Sequence, residues 1–242
     1  MKQLLENWRT YVNEVGGQGL DRYATLISRE VIKALKDEEV RSRLSETGEV
    51  QFKMDIEHIL QDLEWVRDVY IDLGGGDYAY ADAKYEFVLD ATDEERGKSD
   101  IIINLVLPHD YDNSVFSELI PELKDALRHE LEHSSQPTEM LMKVQKEIPE
   151  GKIWESLDSA ETYYTSEAEV KAHVAGIYKR AKVLKEPAAE VMDSFLIQIW
   201  QTGLAHGYSE QELDPLMRKI RDLWRYYMTS RYPHAEIDWE ED

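Results

Sequence analysis

The sequence predicts a mainly helical α+β fold with a small, mostly antiparallel sheet. Three observations carry this. Apolar residues recur at helical spacing through most of the first 67 residues. The period changes to strand-like alternation between Val69 and Leu107. After Pro108 the helical spacing returns and persists. Without an internal repeat, a low-complexity stretch or a Pro/Gly/Ser-rich linker, the chain reads as one domain over 1–242. Its parts are an N-terminal helical part (1–67), a central core (68–185) and a C-terminal helical part (186–242).

The elements follow in order. Leu4, Leu5, Trp8 and Val12 predict a short helix over 2–14, which Gly16, Gly17 and Gly19 are expected to break. Tyr23, Leu26, Ile27, Val31 and Leu35 predict a helix over 20–45, and Ile56, Ile59, Leu60, Leu63 and Val66 another over 54–67. Residues 69–73 read as a strand, Gly74-Gly75-Gly76-Asp77 as a turn, 78–89 as a second strand and 90–98 as a charged connection. Residues 101–107, Ile-Ile-Ile-Asn-Leu-Val-Leu, give the strongest strand signal, ended by Pro108. A helix follows over 121–135, with Pro121 expected in its first turn. Further helices are expected at 138–148, 167–185, 188–204 and 209–230, and the acidic tail 237–242 is expected to fray.

The 242 residues include no cysteine, so any transition-metal site must use His, Asp or Glu, and a reducing cytoplasm fits. A formal net charge of −22 argues against nucleic acid and anionic membranes as partners, because both are bound mainly by Lys and Arg. No apolar run is long enough for a membrane span, and the N-terminus lacks the pattern of a signal peptide.

The chemistry concentrates in His129-Glu130-Leu131-Glu132-His133. Histidines four apart lie one turn apart on one helix face, where both imidazoles can reach a single zinc ion (Zn2+). Glu130 lies about 100° round the helix, placed to work on a water as a general base rather than to ligate. Leu123, Leu127 and Leu131 form a core-facing row, while His129 and His133 share the neighbouring stripe with Glu122 and Ala126. The strand at 101–107 precedes this helix, so the sheet is expected to pack beside it.

A catalytic zinc needs a third protein ligand. The extended pattern with a third His six residues on fails, since Gln136 and Glu139 occupy its Gly and His positions. The remaining common solution is a glutamate from a second helix, and 165–173, Thr-Ser-Glu-Ala-Glu-Val-Lys-Ala-His, offers two. Glu167 has an ordinary role as a first-turn acid. Glu169, near small Ala172 and one turn before His173, is favoured, with Glu167 the alternative.

With Glu169-Val170-Lys171-Ala172 following it, the motif resembles the gluzincin metallopeptidases. Residues 165–172 are similar to the third-ligand helix of anthrax lethal factor and to the compact minigluzincins. The opening, Met1 to Arg9, is similar to openings of tailed-phage proteins. The resemblance covers roughly 78–185. It implies a zincin-like fold, a zinc ion held by His129, His133 and Glu169, a protein or peptide substrate, and hydrolysis with Glu130 as base. It also implies an oxyanion donor, for which Tyr163 is preferred over Tyr164, and a substrate-binding sheet edge at Ile101 to Leu107. One departure stands out: many members carry an acid four residues after the ligand Glu, and this chain has His173. The competing reading is a zinc-binding assembly or regulatory protein without peptidase activity, which the intact Glu130 argues against. Other features have plain readings: His109 with Asp110 and Asp112 as a polar loop, and Trp224, Tyr226, Tyr227 and Tyr232 as packing.

Overall fold

The computed structural model describes residues 2–61, 63, 66–87, 98–148, 151–233 and 235. It is mainly helical with one four-stranded mixed sheet, an α+β architecture. The chain divides into two compact units, residues 1–135 and 136–242. No described helix is long and apolar enough to cross a membrane.

The first unit opens with α1 (Lys2–Leu35), which runs straight through Gly16, Gly17 and Gly19 rather than breaking there. Each helical glycine costs about 1 kcal/mol relative to alanine but meets no steric bar, so the flanking helix formers prevail. The expected 20–45 helix is instead divided at Asp37. This residue is extended, and its carboxylate accepts the Glu39 N–H to start α2 (Glu38–Thr47). Gly48, at φ 77°, closes that helix in the left-handed region.

Strand β1 (Glu49–Lys53) was not expected, and the 54–67 helix shrinks to α3 (Glu57–Leu60) before β2 (Val66–Gly76). Ile56, Ile59, Leu60, Leu63 and Val66 are all buried nonetheless. The apolar spacing located core residues, but a helical turn and a strand start satisfy it as well as a long helix does. Residues 88–97, where the second strand was to end and the charged connection to run, lie outside the described residues, as does the 237–242 tail.

β2 takes in Gly74, Gly75 and Gly76, so the expected turn is strand, paired in parallel with Val106, Leu107 and Pro108 of β4 (Ser99–Pro108). Three glycines signal a turn locally, but the ladder supplies backbone partners that override that preference. The missing side chain has a use at Gly75: a Cβ there would lie 2.2 Å from Cε1 of His109. The exposed His109 ring thus lies over the Gly75 backbone. Gly75→Ala is expected to cost less than about 1 kcal/mol in urea unfolding, because an exposed ring at the end of a side chain can swing aside. A loss of several kcal/mol would mean that the ring is held in place.

The sheet order is β1-β2-β4-β3, with β3 spanning Tyr80–Phe87; β1–β2 and β3–β4 are antiparallel and β2–β4 parallel. β4 therefore lies inside the sheet, with a neighbour on each side. Its burial alternates, with Ile101, Ile103, Leu105 and Leu107 in the core. The outer strand beside it is β3, so the expectation of a sheet edge at Ile101 to Leu107 is corrected.

A 3-10 turn at Asn113–Val115, capped by Asp112, leads into α4 (Phe116–Ser134). The helix starts five residues earlier than expected, so Pro121 lies inside it rather than in its first turn. That proline gives up one helical hydrogen bond, to the Ser117 carbonyl. Leu119, Leu123, Leu127 and Leu131 are fully buried, and α4 packs on β3, β4 and α1.

The second unit holds α5 (Thr138–Glu147), α6 (Leu157–Thr165), α7 (Glu167–Leu184), α8 (Ala188–Ala205) and α9 (Glu210–Arg231). Of these only α6 was unforeseen. Val170, Val174 and Ile177 of α7 meet Met192 and Leu196 of α8 and Ile220, Trp224 and Met228 of α9 in one core. Ser166 starts α7 by accepting the Glu169 N–H, and a Ser209/Glu212 capping box starts α9.

Candidate metal centre

In the first unit the His-Glu-x-x-His run occupies the last turns of α4. The buried leucine row sets the rotation of the helix, and this turns His129 and His133 onto a common stripe. Their Nε2 atoms lie 3.0 Å apart, with the rings edge-on at 4.7 Å between centroids. Two imidazole nitrogens bound to one tetrahedral zinc stand about 3.3 Å apart, so the pair fits that ion with a small side-chain adjustment. Imidazole donors suit zinc as well as copper, iron and nickel, and two His with a Glu is one of the ligand sets that hold catalytic zinc. Glu130 is buried, and its Oε1 comes within 3.9 Å of the His129 Nε2, beyond hydrogen-bond reach but next to the imidazole pair.

Buried charge flanks the pair. Arg128 is fully buried; its Nε donates to Asp21 Oδ1 of α1 at 3.0 Å and its Nη1 to Glu132 Oε2 at 2.8 Å. The sequence reading missed this cluster. The 128/132 spacing is a legible helical ion pair, but nothing local announces that Asp21, 107 residues away, completes it. Glu122, on the stripe expected for it, accepts the N–H of Ala81 on the outer strand β3 at 3.4 Å.

In the second unit, Glu169 is buried and Glu167 is not. Lys171 donates to Glu167 Oε1 at 2.6 Å across one turn, the ordinary role of a first-turn acid. Glu169 Oε2 lies 4.0 Å from Nε2 of His173, one turn on. The His173 ring stacks on Trp224 at 4.7 Å and 23°, with Tyr164, Tyr163 and Phe195 also around it. Trp224 is fixed in turn by donating Nε1–H to the Tyr164 carbonyl at 3.0 Å.

Tyr163 and Tyr164 meet edge to face at 5.1 Å. Burial pushes the Tyr164 phenol up to about 12, keeping it a neutral hydroxyl at ordinary pH. Of the aromatic group expected to pack, Trp224 is buried and Tyr232 stacks on Tyr178 at 3.8 Å, whereas Tyr226 is exposed. Within the first unit, His129, Glu130 and His133 come together on α4; within the second, Tyr163, Tyr164, Glu169 and His173 come together around α7. No protein-family model, curated protein or solved structure matches this chain.

Proposed function

We propose that the protein is a zinc-dependent endopeptidase in which His129, His133 and Glu169 hold the metal and Glu130 is the general base. The observation that supports this most is the convergence of two imidazole nitrogens to 3.0 Å on consecutive turns of α4, with the buried Glu130 carboxylate beside them. Zinc held by these residues supplies Lewis acidity toward water and toward a peptide carbonyl. Glu130 accepts the proton of the attacking water and returns it to the departing amine. Glu169 enters as third ligand through its Glu-x-x-Ala element and its burial, in preference to the Lys171-paired Glu167. Tyr163 donates its phenolic hydrogen bond to the developing oxyanion. An extended protein or peptide segment is the substrate, and β3, the outer strand, is where it would add to the sheet.

The test is metal analysis of the purified protein, followed by assay on a peptide library with and without chelator. One zinc per chain is expected, with hydrolysis lost on chelation and restored by zinc. Zinc uptake with no cleavage of any peptide would leave a zinc-binding assembly or regulatory protein. No zinc uptake would overturn the reading.

A further inference from the structure

We infer that His173 is itself a metal ligand, so that Glu169 and His173 form a chelating pair on one face of α7. The inference rests on the proposal that Glu169 binds the metal and adds a ligand to that set. Its starting point is the spacing. Residues 169 and 173 stand one helical turn apart, and their side chains, 8% and 14% exposed, bring Oε2 and Nε2 to 4.0 Å. That separation is too long for a proton to be shared directly between the two groups. It is close enough for a modest rotation of either side chain to bring both atoms to one cation.

The surroundings orient the ring. Trp224 lies against one face, and Tyr164, Tyr163 and Phe195 contact it from other directions. Because the Trp224 indole is tied to the Tyr164 carbonyl, the stack has little freedom to slide. The result is an imidazole held by its faces with the Nε2 edge toward Glu169.

A neutral imidazole whose nitrogen faces a metal is the commonest ligand side chain in proteins. His173 stands where members of the resembled family carry an acid that braces a ligand from behind. Here that position supplies a donor of a different kind. A fourth protein ligand changes the site's character, because zinc with three protein ligands keeps an open position and zinc with four is closed or expands its coordination.

Zinc-edge X-ray absorption on the zinc-loaded full-length protein counts the imidazoles, and His173→Phe preserves an aromatic ring for the Trp224 stack while removing the nitrogens. Three imidazoles are expected in the parent and two in the variant. Zinc affinity in the variant should fall about tenfold or more in competition with a chromophoric chelator. Two imidazoles in both proteins, with equal affinity, would overturn the inference and leave the endopeptidase proposal intact. Failure of the parent protein to take up zinc would overturn both. His173→Gln serves as a second variant should the Phe substitution fail to fold, with the same outcomes expected.

Discussion

Glu130→Gln is expected to bind zinc as the parent does and to hydrolyse peptides about 10²–10⁴-fold more slowly. The substitution is nearly isosteric, so the buried position keeps its packing. What changes is basicity: an amide cannot accept the proton of the attacking water, and it cannot later deliver one to the amine. His129 and His133 are untouched, and their 3.0 Å approach is set by the helix rather than by Glu130. The measurement is kcat and KM on the best library peptide at matched zinc content. The loss should fall on kcat, because the missing proton transfer belongs to the transition state and not to substrate binding. Activity within a few-fold of the parent would remove Glu130 from the mechanism. A variant without zinc would show that Glu130 acts on the ligands instead.

Much of this site's framework was legible because it depends on local periodicity. Two histidines four apart must share a helix face once the segment is helical, and the Leu123/Leu127/Leu131 row made it helical and set its rotation. The same reasoning placed Glu169 and His173 one turn apart. Burial of Glu169 against exposure of Glu167 was not legible, since it depends on which part of the first turn of α7 packs inward. β4 was legible as a strand but not as an interior strand, because pairing partners on both sides are a property of the sheet. Gly74 to Gly76 misled for a related reason: glycine permits a turn without requiring one, and the parallel partner β4 decided the outcome. α1 passed through Gly16, Gly17 and Gly19 because a cost of about 1 kcal/mol per residue is small beside the helical flanks on both sides.

The second large effect concerns the charge buried behind the histidines. Asp21→Ala is expected to destabilise the protein by about 3–5 kcal/mol, far more than an exposed ion pair would. Arg128 is fully buried and Glu132 nearly so, and Asp21 is only 17% exposed. Removing the Asp21 carboxylate takes away the acceptor of the Arg128 Nε–H and leaves one carboxylate to balance the guanidinium in a place that water does not reach. The cost is therefore that of a poorly compensated buried cation, not the modest net worth of the bond itself. A second substitution separates these two quantities. Adding Arg128→Met to Asp21→Ala removes the stranded charge and fills most of its volume. The double variant is expected to lose clearly less than the sum of the two single losses, with a coupling of about 2 kcal/mol or more from urea unfolding. Because Arg128 immediately precedes His129 and Glu132 immediately precedes His133, the same cluster fixes the turn that carries both imidazoles to α1. A loss below about 1 kcal/mol for Asp21→Ala would mean that Glu132 alone compensates Arg128, and that α1 is not tied to the histidine-bearing turn through this charge.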